Sequence, residues 1–371
     1  MFLFVALLIS TSSYSQVVTS SFNRAILGIN PASSTTRHFG QVSINYNIEK
    51  NDSDIDLVNA NDSKFNWNEK LEIEKKELLL AGSKGRVVPE LYLSHEQGDK
   101  TIKLVDDANN RGDQAHNKLA FFNNMVNLGW RYRPWLGLGI KMAYPVLTLK
   151  GKFDSEDPDG TTYTGNFKER HSVLTIGTGA TFKALSWLYF GAFTSISNES
   201  NSGFIEGNDF EGKDYRIDLG DDNSVSRSGI GISILSGQSF GKGFRLEVSY
   251  SQMDIPKDPN NIYPSNKKGE EIRTSLEIAY KGLSFGGNVR LIKYIYYDQN
   301  DLVSRYFGEK TYNQNFEPSF GGFLSLRSAR GHSLGLSGYY WVSKGDRPFQ
   351  GLEAKAKTKT TNLVASYAYV Y

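Results

Sequence analysis

The chain closes with LVASYAYVY, residues 363–371, in which larger apolar and aromatic side chains stand at alternate positions with smaller ones between them. A period of two is the repeat of a β-strand whose two faces meet different surroundings. The same alternation returns in earlier segments that begin at Val42, Leu136, Phe244 and Ile272. The sequence therefore predicts a chain built largely from two-faced strands.

The connections between these strands separate a soluble sandwich from a membrane barrel, which periodicity alone does not. Short turns at 133–135, 184–187, 237–243, 281–282 and 328–332 alternate with long polar stretches at 51–69, 96–117, 154–162, 198–223, 256–269 and 299–313. Short turns at one end and long loops at the other are typical of outer-membrane barrels. We predict an all-β fold, a transmembrane antiparallel β-barrel of about fourteen strands. The second strand, LEIEKKELLLAG from Leu71, would also suit a helix.

The two ends of the sequence suggest export and insertion. An apolar run, MFLFVALLI, precedes small residues around Ser15, which predicts a signal peptide over 1–15. A periplasmic or plug segment is expected over 16–38 and the barrel over 39–371. The aromatic ending resembles the C-terminal signature by which outer-membrane proteins are recognised, which implies that Tyr367, Tyr369 and Tyr371 address the barrel-assembly machinery. We expect an integral protein in the outer membrane of a Gram-negative bacterium, in contact with its lipids, with both termini periplasmic.

Composition and motifs argue against several other classes of protein. The 42 basic and 40 acidic residues nearly cancel, which does not favour a nucleic-acid partner. The sequence has no cysteine, and its five histidines have no metal-ligand spacing such as HExxH. The Walker A motif is also absent. We therefore expect no enzyme activity, no catalytic residue, no metal and no cofactor.

The alternation also assigns side chains to the lumen. Inward positions carry charges of both signs at Arg245, Glu247, Arg273, Glu277 and Arg290, which favours cross-strand ion pairs that brace the wall or hold a plug. The inward set also contains large apolar and aromatic residues, whereas a general porin keeps its lumen polar. They suit either an apolar solute or a packed plug segment: Phe121, Met125, Tyr189, Phe193, Phe323, Tyr339 and Trp341.

One motif stands just before the first strand. Asn30-Pro31-Ala32, in the context AILGINPASSTTRHFG, is similar to the NPA motif of FadL-like long-chain fatty acid and hydrophobic-compound transporters. In that family the motif joins an N-terminal hatch to a fourteen-stranded barrel, and a kink in the third strand opens a lateral gate. Here Pro89 lies in the predicted third strand, where proline removes a ladder hydrogen bond. The preceding segment is much shorter than the family's hatch and lacks its glycine-rich sequence.

The resemblance implies a passive outer-membrane channel for hydrophobic small molecules such as long-chain fatty acids. We expect the segment through Asn30, Pro31 and Ala32 to cover a gap in the wall near Pro89. A non-transporting barrel that acts as an envelope scaffold or secretion-system component is the alternative. Barrel enzymes, such as phospholipases, rank third.

Overall fold

The residues that the structure describes form sixteen hydrogen-bonded strand segments and one short 3₁₀ helix. The structure, a computed structural model, describes residues 30–36, 40–58, 64–82, 85–106, 111–156, 162–208, 213–239, 242–255, 265–298, 310–315, 319–328, 330–349 and 352–370. The 3₁₀ helix η1 spans Pro31–Thr36. The strands are β1 Gln41–Val58, β2 Lys64–Ala81, β3 Val87–Asp106, β4 Arg111–Arg133, β5 Leu136–Ala143, β6 Val146–Glu156, β7 Thr162–Leu185, β8 Leu188–Asn208, β9 Asp214–Ser239, β10 Lys242–Ile255, β11 Ser265–Tyr280, β12 Leu283–Asp298, β13 Lys310–Asn315, β14 Ser319–Arg327, β15 His332–Phe349 and β16 Leu352–Val370.

These segments form a closed barrel of fourteen strands, as predicted. Each segment pairs antiparallel with its neighbours, β11 pairs with β12, and β1 closes the barrel against β16. β5 and β6 both lie between β4 and β7, so they are one strand interrupted at Tyr144-Pro145. β13 and β14 both pair with β12 and likewise count as one strand. The second strand, whose sequence would also suit a helix, is a β-strand and pairs with β1 along its whole length.

The faces of the barrel are inverted relative to a soluble protein, which confirms the membrane interpretation. On β10, Val248 is 42% exposed on the outside while its neighbour Glu247 is 1% exposed on the inside. The same inversion holds around the wall, where the exposed large apolar residues include Ile44, Trp130, Ile176, Ile230, Leu276, Leu324 and Leu363. An outer face of this kind suits hydrocarbon, since Arg or Lys at mid-bilayer costs about 2–4 kcal/mol.

Several long stretches predicted as loops are strand instead. Residues 51–58 pair in register with Glu353 to Thr360, and the same correction applies to most of 51–69, 96–117 and 198–223. Their outward side chains are polar, so the alternation of hydrophobicity fades although the hydrogen-bond ladder continues. The fourteen strands therefore rise well beyond the apolar band at the end opposite the short turns. β1 begins beside the end of β16, at the short-turn end.

The predicted signal peptide and most of the predicted N-terminal segment lie outside the described residues, as does Tyr371. In the part of the chain that the structure describes, no helix is long and apolar enough to cross a membrane.

Candidate functional site

The segment that carries the NPA motif lies inside the barrel, against its wall near the short-turn end. The Asn30 side chain accepts from the Ala32 N–H at 3.0 Å and donates to the Ala180 carbonyl of β7 at 3.0 Å. At the other end of η1, Arg131 Nε of β4 donates to the Thr35 carbonyl at 3.0 Å. The Thr35 and Thr181 hydroxyls lie 3.0 Å apart. Polar contacts therefore fix both ends of the short helix.

Glycines of the wall beneath η1 let the segment pack closely against the strands. A Cβ on Gly139 would lie 2.3 Å from the backbone carbon of Pro31 and 2.4 Å from the Ala32 nitrogen. Backbone cannot yield as a flexible side chain can, so a larger residue at this position would displace the segment. The same close approach occurs at four other glycines of β4, β5, β7 and β8, and we call the five the glycine cradle: Gly129, Gly137, Gly139, Gly179 and Gly191.

Above this cradle the inward faces of β4 to β8 carry many of the large apolar side chains of the lumen, and we call this surface the apolar wall. Polar side chains lie among them, including Asn123 and Ser195, and His171 Nε2 contacts the buried Glu169 carboxylate at 2.7 Å. Tyr189 stands near its base and is buried, and Lys183 Nζ lies 5.7 Å from the centre of its ring. Half-buried side chains follow at mid-lumen, and buried ones fill the end beyond the apolar band. From the base outward they are Tyr189, Phe193, Met125, Phe121, Leu119, Leu147, Leu149, Val173, Phe167, Phe153 and Ile205.

The remaining inward faces, from β9 round to β3, form a charged wall. On β2, Lys75 Nζ contacts Glu77 and Glu96, each at 3.0 Å, and its side chain is only 3% exposed. The Tyr92 hydroxyl donates to Glu77 at 2.5 Å. The Asn45 amide donates to the other oxygen of that carboxylate at 3.0 Å.

This network extends across the closing seam of the barrel. The Tyr339 hydroxyl of β15 donates to Glu49 of β1 at 3.0 Å. The Asn362 amide of β16 donates to Asn47 at 2.8 Å and to Glu49 at 3.2 Å. Residues of β15, β16 and β1 are thus joined by side chains as well as by the ladder. Such contacts brace the wall from within.

A second cluster on the charged wall is centred on Glu271 of β11. Arg227, Arg273 and Arg290 all pair with its carboxylate, and their side chains are 12–15% exposed. Arg227 Nη2 also donates to the Ser251 hydroxyl at 2.8 Å. Three guanidinium groups around one carboxylate make this sector rich in positive charge.

A smaller pair lies on the neighbouring positions. Arg245 Nε donates to Glu247 at 2.7 Å, and the Ser233 hydroxyl donates to the same oxygen at 2.8 Å. Glu277 follows on β11 directly across from Arg245. The ion pairs expected from the inward charges are therefore present.

The structure places the other predicted lumen residues as follows. Phe121, Met125, Tyr189 and Phe193 belong to the apolar wall, whereas Tyr339 bonds to a carboxylate of the charged wall. Phe323 of β14 also faces inward on the charged side, and its ring lies 2.7 Å from where a Cβ on Gly286 would be. The side chain of Trp341 lies outside the described set.

Sequence reasoning missed five central charged residues: Glu49, Lys75, Glu77, Glu96 and Glu271. Glu271 could have been predicted, because it is two residues from Arg273 on the same strand and therefore faces the same side. On β2 it was hidden, because charged residues occupy both faces: Lys75 and Glu77 inside, Glu74 and Lys76 outside.

The strand does not part at Pro89, contrary to expectation. The register between β3 and β4 runs past Pro89 without a shift, and Gly82 N–H donates to the Pro89 carbonyl at 2.9 Å. Pro89 is two residues from the start of β3 and beside the turn, so its missing N–H costs only one bond at the end of the ladder. The NPA segment approaches β3 as well as β4, β5, β7 and β8, but Pro89 is exposed on the outer face and no gap opens beside it for the segment to cover. No lateral opening is present here.

The aromatic residues of the last strand face outward. Tyr367 is exposed, and its hydroxyl lies 2.7 Å from His332 Nδ1 of β15. Tyr369 is also exposed, with its ring 5.0 Å from that of His332. Their role in assembly stays a prediction.

Comparison with known proteins gives a fold and no sequence relative. No family model matches the chain, and no curated protein matches it. Several solved structures match the chain in fold. A Pseudomonas aeruginosa FadL homologue matches with a TM-score of 0.57 at 10% identity, over 92% of each chain. The Pseudomonas putida toluene transporter TodX matches with a TM-score of 0.54 at 10% identity, over 92% of each chain. CymD, described as a monoaromatic hydrocarbon channel, matches with a TM-score of 0.51 at 10% identity, over 93% of this chain and 92% of that one. This chain shares their barrel fold.

Proposed function

We propose that the protein is an outer-membrane channel through which hydrophobic molecules, with long-chain fatty acids as the best candidates, enter passively. The observation that carries the proposal is the apolar wall, which runs along one side of the lumen from the glycine cradle to the loop end. A hydrocarbon chain gains about 0.8 kcal/mol for each CH₂ group that it removes from water. Large apolar side chains spaced along this surface let such a chain travel inward in small steps.

The second support is the fold. The structures that share it include proteins described as a toluene transporter and as a monoaromatic hydrocarbon channel. Fold alone does not assign function, which depends on the site within it. Here the inward side chains of β4 to β8 agree with transport of an apolar solute.

Fatty acids are favoured over plain hydrocarbons because the opposite side of the lumen carries guanidinium groups. Arg227, Arg273 and Arg290 gather at Glu271, and guanidinium is the side chain best matched to a carboxylate. A molecule with an apolar tail and a carboxylate head would find both of its parts accommodated. In the proposed orientation the short turns and both chain ends face the periplasm.

The alternative, a non-transporting barrel, rests on a different observation. The Lys75, Glu77 and Glu96 side chains are at most 5% exposed and are held together by ion pairs. A lumen braced in this way suits a rigid scaffold as well as a channel.

Uptake into vesicles separates the two. Purified protein in liposomes should admit a long-chain fatty acid and exclude a sugar of similar mass. Phe193→Glu should slow uptake by at least about tenfold, equivalent to ~1.4 kcal/mol, because it places a carboxylate in the apolar wall. The matched control is Phe323→Glu, which changes a half-buried inward aromatic on the charged wall and should have little effect. Fatty acid entry no faster than in protein-free vesicles would favour the scaffold.

A further inference from the structure

A group of basic side chains stands on the outer surface above the apolar wall. Lys118 of β4 lies directly across from Lys150 of β6, and Lys150 lies directly across from Lys168 of β7. Lys152 and Arg170 are the adjacent outward positions on β6 and β7. All five are exposed, and we call them the basic ladder.

Like charges directly opposite one another on neighbouring strands destabilise a sheet. Within the part of the chain that the structure describes, no salt bridge joins any of the five to a carboxylate. Aspartates stand only at the borders, Asp99 across from Lys118 and Asp154 beyond Lys152. The other four cations of the ladder have no acidic residue directly across from them, which indicates a site for an external anion.

The height of the basic ladder narrows the choice of anion. On each strand the cation stands four residues beyond a large apolar outward side chain: Lys118 beyond Phe122, Lys150 beyond Val146, and Arg170 beyond Leu174. Four residues of a tilted strand rise about 10 Å. The charges therefore lie just beyond the hydrocarbon edge, at the level of the head groups, on the side of the long strand extensions.

The outer surface of β16, β1 and β2, further round the barrel, has a different arrangement of charges. At the same level, Lys50 of β1 pairs with Glu72 of β2 at 2.7 Å. Lys359 and Lys357 of β16 lie directly across from Asp52 and Asp54 of β1. There Lys50, Lys357 and Lys359 each face an anion of the same chain, although Lys344 of β15 also lies across from Lys357.

We propose that the basic ladder binds the phosphate groups of a phosphorylated glycolipid in the outer leaflet. Lysine ammonium groups act as compact point charges toward phosphate, and three in register match a head group that carries more than one phosphate. The acyl chains of the same lipid would rest on the outward apolar side chains below. The inference rests on the proposed outer-membrane location and orientation but not on transport.

The test compares two triple variants by the lipid that each retains. The first removes the ladder: Lys118→Ser, Lys150→Ser and Lys168→Ser. The control removes three exposed lysines from the balanced side: Lys50→Ser, Lys357→Ser and Lys359→Ser. Each protein is reconstituted in phosphatidylcholine nanodiscs that contain diphosphoryl lipid A, then extracted in detergent. Lipid A bound per barrel is counted by native mass spectrometry, and heat-modified electrophoretic mobility verifies that each variant is folded.

The ladder variant should retain at least about tenfold less lipid A than the native protein, since each lysine contributes to holding an anionic head group. The control should retain nearly as much as the native protein, and native retention should fall when the lipid lacks phosphate. Equal losses in the two triples would overturn the proposal, because the attraction would then be general. So would equal retention of dephosphorylated lipid, or a preference for phosphatidylglycerol. None of these outcomes depends on whether the barrel transports.

Discussion

The two sides of the lumen use the same strand geometry for opposite purposes. On the apolar wall the inward positions hold residues such as Phe121 and Phe193, while on the charged wall they hold ion pairs such as those of Lys75 and Glu271. The outside shows no such division within the apolar band, because lipid is alike all the way round. The inner difference therefore cannot come from the fold, and it points to a task that is asymmetric within the lumen.

The largest expected effect lies on the charged wall. Glu271→Gln keeps the volume of the side chain but leaves Arg227, Arg273 and Arg290 without their common carboxylate. Removal of one partner from a buried ionic cluster costs about 3–5 kcal/mol. The free energy of unfolding, measured by urea titration in lipid vesicles, should fall by that order.

The control for this change is Glu72→Gln, whose carboxylate pairs with Lys50 on the exposed outer surface. Exposed pairs contribute little to stability, so no comparable loss is expected. If both variants unfold alike, the charged wall is not what braces the barrel.

The sequence predicted the number of strands and their faces because lipid imposes one strict rule along fourteen strands. The rule weakens where the strands leave the bilayer, and residues 51–58 were accordingly mistaken for loop although they pair with β16. Lys75 and Glu77 were missed for a different reason, because β2 carries charged residues on both of its faces. Backbone pairing continued where the side-chain pattern had stopped.

The second-largest effect is expected at the base of the apolar wall, where the glycine cradle holds the NPA segment. Gly139→Ala would place a methyl group against the backbone of Pro31 and Ala32, and overpacking of this kind costs about 1–3 kcal/mol. The segment should detach from the wall while the barrel stays intact. The reporter is Ser34→Cys, which places a cysteine at a position that is buried in the native protein. In the Gly139→Ala background this cysteine should react with a maleimide roughly tenfold faster than in the native background, which corresponds to ~1.4 kcal/mol.

Gly322→Ala provides the comparison, because its Cβ would come no closer than 3.8 Å to any atom, the Gly286 carbonyl oxygen. Its cysteine reactivity should equal that of the native barrel. Unchanged reactivity in Gly139→Ala would mean that the cradle does not hold the segment.

The NPA segment shows how far the site could be predicted. Its motif marked Asn30, Pro31 and Ala32, but their position depended on glycines scattered over 129–191, whose common role exists only once the strands are paired. For Pro89 the sequence suggested a gap in the wall, but the strand pairing shows none. Its effect on a ladder depends on where along the strand it falls, and it falls at the end.

The smallest effect is expected from Pro89→Val. A valine N–H could donate to the Gly82 carbonyl and add one terminal ladder bond, which is worth about 0.5–1.5 kcal/mol at most. Uptake of fatty acid should not change. A clear loss of uptake in a properly inserted barrel would restore a gating role to this strand.

The apolar wall as the path of the ligand is the central claim, and photo-crosslinking tests it most directly. A long-chain fatty acid with a diazirine on its terminal carbon is incubated with barrels in nanodiscs and irradiated, and the adducts are located by peptide mass spectrometry. An excess of unlabelled fatty acid separates saturable sites from bulk lipid contact. We predict that the adducts suppressed by competition lie on the inward residues of β4 to β8, chiefly Phe121, Met125 and Phe193. Competed adducts that lie mainly on the inward faces of β9 to β12, or on outward residues alone, would contradict the account.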